Sequence, residues 1–202
     1  MKKSPVFVFI AGALSLLVPT TGRFAYGIIL VLALCFITFF TSLGRVLCHK
    51  LMLDEFITPV SLICLSMCTV FFKQILILYS PIIAFTLDFS LYLAALSSLI
   101  LGFIFSDYSQ GTLQYLSTNM KHAFLFSLFA LVFYLFRDYL GYGTLTLPVK
   151  EGIKVFTLPS FHFFEPSFFW SSIPFALLFL SLLLAVFTLV NRKFDIIKRK
   201  YY

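Results

Sequence analysis

Two apolar stretches, residues 24–43 and 57–79, constrain this chain more than any other feature of it. Each has about the 20 residues a helix needs to cross the hydrocarbon of a bilayer, and the second holds a single charged side chain, Lys73. In hydrocarbon every backbone N–H and C=O must be satisfied within the segment, which leaves the α-helix as the conformation. Segments 122–140 and 168–190 are of the same kind, 89–106 is slightly shorter, and 5–18 is shorter still. Composition agrees: 61% of the 202 residues are hydrophobic, 28 are Phe and only 11% are charged. A water-soluble core of this size has no room for them. The expected fold is therefore all-α membrane: six transmembrane helices in a single polytopic domain over residues 1–202.

Charge sets the expected orientation. Lys2 and Lys3 precede the first segment, Arg45 and Lys50 follow the second, Lys121 follows the fourth, and "NRKFDIIKRKYY" (residues 191–202) forms a basic tail. With both termini cytoplasmic these fall inside, leaving Arg23, Lys150 and Lys154 outside, as the positive-inside rule prefers. The net charge of +7 is accordingly read as a topology signal, and no nucleic-acid partner is expected. The start, "MKKSPVFVFIAGALSLLVP", has the charged beginning and apolar middle of a signal peptide. It lacks an A-x-A-like site before the next apolar segment and is expected to be retained as the first helix.

Three segments plus three give approximate halves at 1–87 and 88–202, inverted with respect to the membrane because each half has an odd number of crossings. The first segment stops early at "PTTG" (19–22) and the fourth holds "SSLILG" (97–102) ahead of Asp107. Interrupted first and fourth helices are the corresponding expectation. The connection 141–167, with its prolines and alternating apolar positions, reads as an ordered external loop with aromatics at the interface.

Few residues carry chemistry. Lys73 either faces the bundle interior, a partner or a water path, or snorkels to the interface from a helix that ends near Phe72. Asp88 and Asp107 bracket the fourth segment and read as helix-end residues. Cys64 and Cys68 share a helix face and read as core packing. His49, His122 and His162 form no hydrolase or metal signature, and no phosphate-binding G-x-x-x-x-G-K-[ST] loop is present. Near the end of the fifth segment stands "LFRDYLGYGTL" (135–145). There Arg137 suits the negative end of the helix dipole, and Gly141 and Gly143 are placed to take left-handed conformations that close the last carbonyls.

That stretch, with "TPVSLICLSMCTVFFKQILILYSPIIAFTLDFSLYLAALSSLILGF" (58–103), resembles the Rnf/Nqr family of membrane subunits, the paired six-helix proteins of the Rnf complex and of the sodium-pumping NADH:quinone reductase. The family's fifth helix ends in an R-[ED]-x-[IL]-G-x-G-T-[LF] pattern, matched here by Arg137, Asp138, Leu140, Gly141, Gly143, Thr144 and Leu145. The resemblance covers nearly the whole chain. It implies two inverted three-helix repeats, a bacterial inner-membrane location, a paralogous six-helix partner, and redox subunits carrying flavin or iron–sulfur centres. In the family, each paralogue supplies two cysteines to an intramembrane iron–sulfur cluster. The first motif, G-x-C-P, falls here on Gly12-Ala13-Leu14-Ser15, and the second, N-C with a glycine following, falls on Ser97-Ser98 and Gly102. Leu14 and Ser98 thus stand where the ligands would be, and neither replaces a thiolate. The covalent flavin of the related complexes belongs to other subunits, so Thr144 is not a flavin attachment site.

Two functions are expected from these observations. One is a non-catalytic subunit of an Rnf/Nqr-like ion-coupled electron-transport complex, without cofactor or metal of its own. The other is a small-solute transporter or substrate-capture subunit whose cavity is lined by Ser15, Thr20, Thr21, Ser97 and Ser98.

Overall fold

A computed structural model describes residues 16–104, 112–157, 168–182, 185 and 189. Helix α1 (Phe24–Lys50) leads to a 3-10 turn (Asp54–Phe56) and α2 (Ile57–Tyr79). A short α3 (Pro81–Thr86) precedes α4 (Asp88–Ile104), and α5 (Thr112–Tyr142) leads into strands β1 (Thr144–Val149) and β2 (Gly152–Thr157). Beyond them lie α6 (Phe168–Ser171) and α7 (Ile173–Leu182). The chain is a predominantly helical membrane protein: helices at Phe24–Lys50, Ile57–Tyr79 and Gln114–Tyr142 are long and apolar enough to cross a bilayer.

Helix α1 is the hub, with α5, α2 and α4 packed on it and β1 lying beside its start. Its Leu30, Leu34 and Ile37 join Phe126, Ala130, Phe133 and Tyr134 of α5 in one buried cluster, completed by Leu87, Leu91 and Ala94 next to and along α4. The approach of α1 to α5 depends on Gly27, because a Cβ there would lie 2.4 Å from the Tyr134 ring. Helix α2 is peripheral and buries only Ser61, Thr69 and Leu76. Its outer face of Ile63, Met67, Phe71 and Leu78 is apolar and exposed, which in this class of protein means facing lipid or a partner.

Several elements differ from their sequence reading. Helix α1 continues past residue 43 to Lys50, so Arg45 lies within a helix and is buried, not in a cytoplasmic loop. Helix α5 starts at Thr112, ten residues before the apolar segment, which places Lys121 inside a helix. Leu, Gln, Met and Lys in this stretch are good helix formers, and Tyr115 and Asn119 find buried positions at the α1 side. The start of the 141–167 connection is an antiparallel hairpin, paired from Thr144↔Thr157 to Val149↔Gly152. Gly152, at φ 130, closes its turn in a conformation that favours glycine. The fourth segment is one continuous helix from Asp88 to Ile104, Gly102 included, and the break in the helical path comes before it, at Ser80 and Leu87. Ser15, Asp107, His162, the first segment up to residue 15 and the 191–202 tail lie outside the described residues, as does Leu14.

Candidate functional site

Tyr134, Arg137, Asp138 and Gly141 follow one another at helical spacing on α5, so they share one stripe of that helix. The stripe meets the turn before α1, the start of the hairpin and the end of α6. All three side chains are enclosed: Arg137 is 1% exposed and Tyr134 and Asp138 are 0% exposed.

Asp138 is the N-terminal cap of a different helix. The residue preceding α1, Arg23, offers no side-chain cap, and its guanidinium instead lies 3.9 Å from the Tyr142 ring centre. The first N–H groups of α1 are left without intrahelical partners. Asp138 Oδ2 accepts from Phe24 N at 3.2 Å, and Thr146 Oγ1 accepts from Ala25 N at 3.0 Å. Thr146 in turn gives Asp138 Oδ2 two hydrogen bonds, from its N at 2.8 Å and its Oγ1 at 2.6 Å, while Thr144 Oγ1 reaches Oδ1 at 3.4 Å. One carboxylate thus joins the start of α1, the end of α5 and β1, and its negative charge sits at the positive end of the α1 dipole.

Arg137 faces the other way. Its Nη1 donates to the carbonyls of Leu17 (2.9 Å) and Thr20 (3.1 Å), and its Nη2 donates to that of Ser171 (2.6 Å). Tyr134 completes this set by donating to Leu16 O at 3.1 Å and bonding the Thr20 hydroxyl. A planar guanidinium can hold carbonyls from two separate segments at once, which a point-like ammonium does less well. The close approach of α6 depends on Gly141, where a Cβ would lie 2.7 Å from the Ser171 Cβ and 3.1 Å from its backbone N. Gly141 stays helical, and only Gly143 is left-handed, at φ 62, donating its N–H to Tyr139 O at 2.9 Å. The two glycines therefore have different tasks, one in packing and one in chain reversal.

Lys73 pairs with Asp88, at 2.6 Å, with side chains 27% and 46% exposed. Lys73 lies six residues before the end of α2, about 9 Å along the axis at 1.5 Å per residue. Asp88 opens α4, where a carboxylate also complements the helix dipole. The pair spans the α3 connection and ties α2 to α4, and the helix does not end near Phe72 but continues to Tyr79. The cysteines follow the packing reading: Cys64 lies against Gly44, where a Cβ would come within 2.9 Å of its Sγ, and Cys68 borders the core cluster. Cys35 faces Ser127 Oγ at 3.2 Å and Cys48 is buried. Among the described residues no three His, Cys, Asp or Glu side chains converge.

Ser98 stands away from Arg137, level with the middle of α1. It is buried and 3.0 Å from Thr38 Oγ1, in a cluster with Thr41, Ser42, Arg45 and Ser61. Those donors are protonated hydroxyls beside a guanidinium, a set that does not suit an iron–sulfur cluster, which requires thiolates. Thr20, expected to line the same cavity as Ser98, instead bonds Tyr134 at the far end of α1.

Sequence reasoning found Arg137 and Asp138 but missed Tyr134, Thr146 and Ser171, their partners. The stripe 134–137–138–141 was the available signal for Tyr134. Arg45 was likewise read as a topology marker, although Thr38, Thr41, Ser42 and Arg45 form a polar stripe along α1 that points to an interior position. No protein-family model, no curated protein and no solved structure matches this chain.

Proposed function

We propose that this chain is a scaffolding subunit of an ion-coupled electron-transport assembly of the Rnf/Nqr type, working beside a paralogous six-helix subunit and redox subunits that carry the flavin or iron–sulfur centres. The reading extends the described helices to six crossings in two inverted repeats, with both termini cytoplasmic in a bacterial inner membrane. The observation that carries it is the R-D-Y-L-G-Y-G-T stretch itself. Its Arg137, Asp138, Gly141, Gly143 and Thr144 form a buried clamp that joins the ends of α1, α5, the hairpin and α6, as suits a rigid element in a larger complex. Ser98, hydrogen-bonded to Thr38 where the resemblance would place a cluster thiolate, supports a subunit that has no cluster of its own.

The test is purification from the native membrane in mild detergent, with co-purifying chains identified and iron and acid-labile sulfide measured. A six-helix paralogue and a flavoprotein are expected in constant ratio to this chain, with iron assignable to the other subunits. A chain that purifies alone overturns the subunit reading, and stoichiometric iron on the isolated chain overturns the absence of a cluster.

The second reading, a small-solute transporter or substrate-capture subunit, has its support in the interior group of hydroxyls from α1, α2 and α4 around Ser98, namely Thr38, Ser42 and Ser61. It predicts that small solutes raise the melting temperature of the isolated protein.

A further inference from the structure

Helix α2 turns its packed side to the bundle through Ser61, Leu65, Thr69, Phe72 and Leu76. At about 100° per residue the opposite side runs along Ile63, Met67, Val70, Gln74 and Ile77, which recur at alternate spacings of four and three, the period of a seam between two helices. Ile63, Met67 and Val70 are 62%, 72% and 46% exposed, and Gln74 is exposed with them.

Gln74 decides what this seam faces. One turn farther along, Leu78 is 88% exposed, and Ile82 and Phe85 of α3 follow at 61% and 80%, so apolar surroundings continue past Gln74 and its amide lies at hydrocarbon depth. Its neighbour Lys73 is turned to Asp88, whereas the carboxamide of Gln74 has no hydrogen-bond partner among the described residues. Acyl chains offer neither donor nor acceptor, and an unpaired amide among them is costly. Polar side chains at that depth hold helices together through hydrogen bonds between them. A carboxamide carries an acceptor oxygen and a donor NH2, so it complements a second carboxamide without burying a charge. The seam holds no charged residue, and nothing on it attracts an ionic partner.

We infer that the outer face of α2 docks against α2 of a second copy of this chain. Both copies enter the membrane in the same orientation, so the two-fold axis of the pair runs along the membrane normal and sets Gln74 of one copy opposite Gln74 of the other. Hydrogen bonds between the two amides cross the axis, and Ile63, Met67, Val70 and Ile77 pack along the rest of the seam. The pairing does not depend on the electron-transport reading, and failure of either leaves the other standing.

The experiment measures association of the full chain by sedimentation equilibrium in a density-matched mild detergent, where a dimer is expected. Gln74→Leu, which keeps the bulk and removes the amide at a lipid-facing position, should raise the dimer dissociation constant about tenfold. Gln74→Asn should retain association, and Leu128→Ala, exposed on α5, should leave it unchanged. In native membranes treated with copper phenanthroline, Met67→Cys should give a disulfide-linked dimer of this chain above the level of the parent, whose Cys64 and Cys68 are half-buried; Leu128→Cys should not. A monomer at every ratio of protein to detergent, a dimer that Gln74→Leu leaves at parental strength, or Met67→Cys cross-links formed only to other chains or only within one chain would each overturn the proposal.

Discussion

At the scale of single residues, the chain places two opposite charges side by side on one helix and uses them in different directions. Asp138 supplies the cap that Arg23 does not, and Arg137 gathers the carbonyls of Leu17, Thr20 and Ser171. Neither residue depends on the other for a partner, so each can be tested alone. Asp138→Asn keeps the shape but removes the charge and one acceptor oxygen, and should lower stability by roughly 1.5–3 kcal/mol, the usual worth of a hydrogen bond to a charged group. Thr146→Val should act on the same network, and the double variant should cost less than the sum of the two, because both changes break the same contacts. Fluorescence of Trp170, the single tryptophan, next to Ser171 in α6, is a convenient probe of the melt. If Asp138→Asn assembled and melted normally but lost ion or electron transport, the structural role argued for it would fail. The sequence pointed to this pair because charges at the end of an apolar helix are conspicuous. It could not reveal their partners, since Leu17 and Thr20 contribute only backbone carbonyls to Arg137 and Thr146 is an unremarkable strand residue until the hairpin places it beside Asp138.

At the scale of elements, apolar runs located the helices more reliably than they located the helix ends. Residues 24–43 and 122–140 were legible as spans because each consists almost entirely of apolar side chains, but the helices that contain them extend to Lys50 and back to Thr112. The extensions carry buried polar groups that a hydropathy reading takes for loop: across the bundle Arg45 donates to Tyr115, and Asn119 donates to Ser42. The end of α1 shows what terminates it. Met52, at φ 56 and 90% exposed, donates to His49 O at 3.1 Å while Leu53 donates to Cys48 O at 3.1 Å, the paired bonds of a Schellman ending with a methionine where glycine is usual. Met52→Gly removes the Cβ strain of a left-handed L-residue and should raise stability by about 1 kcal/mol, measured as an increased melting temperature. A decrease would mean that the Met52 side chain is held by a contact with a partner or the bilayer. The Lys73–Asp88 pair joins two elements across α3, so a double-mutant cycle of Lys73→Ala and Asp88→Ala should give a favourable coupling between them. Additive effects would indicate that the pair contributes nothing to holding α2 against α4.

At the scale of the whole molecule, the helices arrange the charged groups into two ends. Antiparallel packing puts the start of α1, the end of α5, the hairpin and the Lys73–Asp88 pair at one end, while Arg45, Lys50 and the 3-10 turn lie at the other. Arg23, Lys150 and Lys154 therefore share an end with the Arg137–Asp138 clamp. Which end faces the cytoplasm is a question of insertion energetics: Lys and Arg flanking the spans favour the inner side, and the proposed orientation, with both termini cytoplasmic, has the hairpin outside. Two exposed positions, Glu151 at the hairpin turn and Met52 at the opposite end, provide the test. Glu151→Cys should react with a membrane-impermeant maleimide added to intact cells, whereas Met52→Cys should react only after the membrane is opened. The native thiols form a low background, since Cys35, Cys48, Cys64 and Cys68 are buried or half-buried along α1 and α2. The reverse labelling pattern would put the clamp and the hairpin in the cytoplasm and overturn the proposed orientation.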